Sequence, residues 1–160
     1  MELRRAIYPE SDDVAIALNS LAGAERDNED YPAAERDYRE ALRISKKNND
    51  HEGITIRTGN LAALALDREQ WAEAESLARE SLALAEKVGR QELIASDCHR
   101  LAQALLKQSE SKSDWQSDLQ EALTLSRRAV EIFTRLKSPY LQGAQETLAE
   151  IEAKMKQNRD

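Results

Sequence analysis

Apolar positions along this chain recur at the spacing of an α-helix rather than at the two-residue period of a strand. Val14, Leu18, Leu21 and Ala22 fall on one stripe, and Ala34, Tyr38, Ala41, Leu42 and Ile44 on the next. The polar turn Asn28-Glu29-Asp30 separates them. Continued along the chain, the pattern predicts seven main helices at about 12–28, 31–47, 51–68, 70–87, 91–110, 114–136 and 139–157. Ser138-Pro139 reads as a helix start, with a capping side chain ahead of a proline at the first helical position. Gly89 reads as a stop, because glycine accepts the left-handed backbone that closes many helices.

The same stripes repeat. Leu21-Ala22 returns as Leu61-Ala62 and as Leu101-Ala102, each time 40 positions on. Tyr31-Pro32-Ala33-Ala34-Glu35 returns as Trp71-Ala72-Glu73-Ala74-Glu75, and Glu40-Ala41-Leu42-Arg43-Ile44 as Glu80-Ser81-Leu82-Ala83-Leu84, with the same period. In the third copy Asp118-Leu119-Gln120-Glu121-Ala122 matches the second copy's Glu69–Ala74 block at an offset of 48, as does Arg128-Ala129-Val130-Glu131-Ile132. About eight extra residues, the Ser-rich stretch 108–115, therefore enter between two helices, and are expected to lengthen a helix end and its loop without breaking the array.

Composition agrees with helices. Aromatics make up 4% of the chain and there are 5 Gly and 3 Pro, too little turn and β-branched material for a sheet. The net charge of −7 opposes binding to phosphate, so no nucleic acid is expected, and basic pairs such as Lys46-Lys47 read as solvated helix faces. No apolar run reaches the ~20 residues of a membrane span, and the opening residues lack the apolar core of a signal peptide. With a single cysteine, Cys98, the cytoplasm is the expected location.

Reactive groups are sparse. Cys98 and His99 are neighbours on one helix, so their side chains diverge by about 100° and cannot serve each other as nucleophile and base. Asp97, Cys98 and His99 are consecutive rather than spaced one turn apart, and His51 lies a repeat away, so no metal is expected and no cofactor is implied. Carboxylates such as Asp12-Asp13 and Glu29-Asp30 sit at helix starts, where they meet the positive end of the helix dipole. Trp115 is expected to pack beneath its own helix start. No enzyme is expected.

Leu18, Leu21, Ala22, then Ala34, Tyr38 and Ala41 resemble the helix A and helix B signature of the tetratricopeptide repeat (TPR). Leu61, Ala62 and Ala74, with Ala78 and Ser81, follow it in the second copy, and Leu101, Ala102, Ala122, Ser126 and Ala129 in the third; Leu148-Ala149 begins a fourth. The 40-residue spacing is similar to the longer-helix subclass found in kinesin light chains. The resemblance implies an all-α, right-handed superhelical solenoid. It would hold three TPR helix pairs at about 12–48, 51–88 and 91–137 and a capping helix at 139–157, in a single domain over 1–160. Residues 1–8 look like the tail of a preceding helix B or a short N-terminal cap, and the former would make the chain a piece of a longer protein.

Such arrays bind a protein or peptide along a concave face built mainly from helix A. By resemblance the groove positions are Asn19, Gly23, Arg26 and Asp27; Asn60, Ala63, Leu66 and Asp67; and His99, Arg100, Gln103 and Lys107. Asn would bond a peptide backbone and Arg would fork onto a carboxylate. Arrays that clamp the acidic tails of heat-shock chaperones carry Lys and Asn where this chain has Asn19 and Gly23, so that role is not expected. The implied function is a non-catalytic, protein-binding scaffold, a sensing or docking part of a larger regulatory protein. The alternative is a self-assembly module, a weak homo-oligomer joined through its repeat ends.

Overall fold

The computed structural model describes residues 10–110 and 115–157, so the reading of residues 1–8 lies outside the described residues. Those described form seven helices and no strand: α1 Asp12–Asp27, α2 Tyr31–Lys47, α3 His51–Asp67, α4 Trp71–Val88, α5 Gln91–Gln108, α6 Trp115–Leu136 and α7 Leu141–Gln157. Local chemistry sets their ends. Ser11 Oγ accepts from the Val14 N–H at 3.3 Å, Asp30 Oδ1 from Ala33 at 3.3 Å, and Asp50 Oδ1 from Gly53 at 2.9 Å, each satisfying a donor that the first helical turn leaves open. Gly89 closes α4 with φ +79° and gives its N–H to Ala85 O at 2.8 Å, as expected of a left-handed cap.

One expectation needs correction. The last helix begins at Leu141, two residues later than Pro139, because Ser138 Oγ accepts from Tyr140 N at 3.2 Å and Pro139 stays in the turn ahead of it. Of the extra residues, 111–114 lie outside the described residues. Gln108 ends α5, 109–110 form the turn after it, and Trp115 opens α6 one turn before Leu119, the counterpart of Trp71 at the offset of 48. Trp115 is half-buried and packs against the core.

Consecutive helices pack on one another throughout, and alternate ones also touch, α3 with α5 and α5 with α7. This is a helical-repeat solenoid of three helix pairs and a last helix, with small residues where helices meet. Ala22, Ala34, Ala41, Ala62, Ala74, Ala78, Ala102, Ala122 and Ala129 are all 0% exposed. The core runs across repeat boundaries. Ala22, Ala34 and Tyr38 of the first pair share a cluster with Leu61 and Leu64 of the second. Ala62 and Ala78 share another with Leu101, Ala102, Leu119 and Ala122 of the third, and with Ile151 of α7. Upstream of α1 no described helix stacks, and Leu21 is 37% exposed where its counterparts Leu61 and Leu101 are 3% and 1% exposed.

The charged residues of α7 divide between the array and solvent. Glu150 receives Lys107 Nζ at 3.0 Å, Glu152 receives Arg127 Nη2 at 3.0 Å, and Lys154 reaches Glu110 at 3.2 Å, so all three turn back to the array. The exposed side of α7 holds Gln142, Gln145, Glu146, Ala149, Ala153 and Lys156.

Ala34 tests this packing. Ala34→Leu should destabilise the fold by about 1–3 kcal/mol through overpacking, read as a lower midpoint in urea denaturation; an unchanged midpoint would contradict the close contact assigned to it.

Candidate functional site

Because helix A of each pair returns to the same side of the stack, residues 40 positions apart line one groove of about 580 Å³. Its walls come from α1, α3, α5 and α7, with Trp71, Phe133 and Tyr140 at the edges. Seven of the nine polar positions named from the sequence line it: Arg26, Asn60, Asp67, His99, Arg100, Gln103 and Lys107. Ala63 and Leu66 line it as well. Asn19 does not; it is half-buried and its Oδ1 accepts from Asn60 Nδ2 at 2.9 Å. Asp27, the exposed last residue of α1, also lies off the lining. Gly23 is not on the lining either and sits near the Tyr38 hydroxyl, 3.7 Å from where a Cβ would be.

The cations of the groove are paired within the protein. Arg26 Nε bonds Asp67 Oδ2, joining α1 to α3. Burial works against the Arg26 charge, but the bond to Asp67 and its field outweigh it and hold the guanidinium above its usual pKa. Lys107 Nζ donates to Glu150 Oε1 at 3.0 Å, which likewise raises the lysine pKa. Arg100 Nη1 donates to Asp97 Oδ1 at 2.8 Å, and Asp97 is 1% exposed. The sequence expectation of an Arg open to a ligand carboxylate therefore meets a groove whose cations already hold carboxylates.

Asp97 is kept in place from behind. Ser81 Oγ lies 2.6 Å from Asp97 Oδ2 and 3.0 Å from the Thr55 carbonyl oxygen, linking α3, α4 and α5. Burial raises the Asp97 pKa, and the Arg100 charge and the Ser81 hydrogen bond oppose the rise. Gly59 makes room for this network. A Cβ there would stand 2.8 Å from Asp97 Oδ1 and 3.0 Å from both Arg100 Nη1 and Ser81 Oγ.

Cys98 and His99 point apart, as their adjacency requires. Cys98 is fully buried among Ala95, Ala129 and Ile132, and burial pushes its thiol up to about 11, away from the thiolate that reactive cysteines need. His99 turns to the groove, where Nε2 lies 3.0 Å from Thr147 Oγ1 and ties α5 to α7. Among the described residues no three His, Cys, Asp or Glu side chains stand close enough to share a metal ion.

Several lining residues were not anticipated: Trp71, Ser96, Phe133, Tyr140, Thr147 and Glu150. Ser96 has a signal in the sequence, since it lies one turn before Arg100 on the same helix face. Asp97 has one too, because it shares its repeat position with Ala17 and Arg57 beside the helix-interior Gly59, and such a glycine marks close packing. Thr147 and Glu150 belong to α7, and Tyr140 to the turn before it; the rotation of α7 against α5 is not specified by the repeat pattern.

Burial, and then the charge of Arg100, lower the His99 pKa from 6.5 to about 4. The folded state thus favours the neutral ring, so the stability it contributes is full above pH ~6.5 and is lost as pH falls toward ~4. His99→Gln should reduce the drop in melting temperature across that window relative to wild type; identical pH profiles would contradict the buried, neutral ring.

Comparison with known proteins agrees with this geometry. Residues 13–87 match the family model of the tetratricopeptide repeat. No curated protein matches the sequence. Among solved structures, the N-terminal domain of stress-induced protein-1 (STI-1) from C. elegans is similar over 85% of this chain and 95% of that one, with a TM-score of 0.60 and 22% identity, a likeness of fold. The first two helix pairs are thus similar to the tetratricopeptide repeat, and the fold is shared along the array.

Proposed function

We propose that this chain is a non-catalytic scaffold that binds a protein or peptide segment in the groove lined by α1, α3, α5 and α7. The observation that carries the reading is convergence: side chains from four helices meet around one cavity of about 580 Å³, within the size range of sites that enclose a ligand. The net charge of −7 favours a protein or peptide over nucleic acid. No helix among the described residues is long and apolar enough to cross a membrane. Helices of 16–18 residues over most of the array, with the 40-residue period, support the longer-helix subclass of kinesin light chains. A docking role within a cytoplasmic regulatory protein fits this reading.

Self-assembly through the repeat ends has one observation in its favour: Ile16 and Leu21 of α1 are 57% and 37% exposed. The exposed side of α7, by contrast, is mostly polar, so head-to-tail stacking would match an apolar face with an amide- and carboxylate-bearing one. Scaffold binding therefore leads.

Two measurements separate the readings. Ser96→Arg combined with Gln103→Arg should cut the retention of groove-binding peptides at least about tenfold, while Thr124→Arg on the exposed side of α6 leaves it unchanged; equal retention by both variants would move binding away from the groove. Light scattering should give one mass at every concentration. A mass that rises with concentration would favour the self-assembly reading.

A further inference from the structure

We propose that the groove takes an uncharged, extended peptide segment, gripped by side-chain amides and an apolar wall rather than by salt bridges. The inference rests on the groove being the binding face, and adds the chemistry of what fills it.

The charges come first. Arg26, Arg100 and Lys107 are the cations of the lining, and each holds a carboxylate of the protein, Asp67, Asp97 and Glu150. A ligand carboxylate would have to displace one of these. Asp97 cannot leave, since it is 1% exposed and bonded by Ser81. Asp67 and Glu150 could swing out, but they would remain tethered beside the incoming anion, where like charges at short range repel. The net return on exchanging one carboxylate for another is small in a half-exposed setting.

The uncharged groups present the opposite picture. Gln103 and Ser96 line the groove, are half-buried, and their side chains make no hydrogen bond among the described residues. Asn60 gives Nδ2 to Asn19 and keeps its carbonyl oxygen free to accept. These side chains offer donors and acceptors of the kind an extended backbone needs. Beside them Ala63, Leu66 and Trp71 supply apolar surface near the last turns of α3 and α5, and Tyr140, 66% exposed, supplies it near the α6–α7 turn. The polar contacts left open are neutral, and the charged ones are closed.

The probes are two pools of capped hexapeptides passed over the immobilised protein. One pool draws on Ala, Leu, Phe, Ser, Asn and Gln; in the other Asp and Glu replace Asn and Gln. The neutral pool should be retained at least about fivefold better than the acidic one, and its retention should change less than about twofold between about 50 and 300 mM NaCl. Gln103→Leu should remove most of that retention. Asp67→Asn, which frees Arg26, should raise retention of the acidic pool at least about threefold. If wild type retains the acidic pool better, with a steep loss in salt, or if Asp67→Asn changes nothing, the neutral-ligand inference is overturned while the groove stands as the site. If neither pool is retained, or retention survives Ser96→Arg with Gln103→Arg, the groove reading itself falls and this inference with it.

Discussion

Close helix-to-helix contact at alanine-sized positions is the constraint on which everything else in this molecule depends. A lone helix pair leaves one apolar face uncovered, and stacking is what covers it. Stacking requires backbones to approach to about 8–10 Å, and larger side chains at the crossing points would hold them apart. The chain meets that requirement in each repeat, with Ala22, Ala62 and Ala102 in one helix of each pair, 40 residues apart, and Ala34, Ala74 and Ala122 in the other, at offsets of 40 and then 48, all removed from solvent. Where the second copy departs from alanine, Ser81 keeps the volume small and adds a hydroxyl that reaches Asp97.

The groove is a consequence of that stacking and so is its electrostatics. Ion pairs cross from one repeat to the next: Arg26 to Asp67, Arg79 to Glu121 at 2.6 Å, Glu86 to Arg128 at 2.6 Å, and Lys107 to Glu150 at 3.0 Å. Exposed pairs of this kind contribute about 0–1 kcal/mol each, so they fix the register of neighbouring repeats more than they hold the fold. On the groove side their effect is to neutralise the lining. A chain with 33% charged residues thereby presents a groove whose open hydrogen-bonding groups are amides and hydroxyls.

Much of this was legible in the sequence, and the reasons differ by level. Helices were legible because the 3.6-residue stripe and the 40-residue repeat reinforce each other; α1 to α6 begin and end within two residues of expectation. The start of α7 is two residues off as well, because Ser138 and Pro139 suit a turn as well as a helix start and here form the turn, with Ser138 Oγ accepting from Tyr140 N at 3.2 Å. Seven of nine named positions reached the groove because helix A has one inward face. Asn19 did not, and bonds Asn60 of the lining instead. Pairing of the cations stayed hidden: Arg26 and Asp67 are 41 positions apart, and their meeting depends on the angle between two helix pairs rather than on either stripe.

Thiol protection measures the nesting most directly. With Cys98 replaced by Ser, single Ala22→Cys, Ala62→Cys and Ala102→Cys variants place a small reporter at each crossing point, and Ser96→Cys places one in the groove. Nested helices predict that the first three react with a thiol reagent only as fast as the protein unfolds, while the fourth is modified at once. Rapid modification of any of the three in the folded protein would contradict the stack.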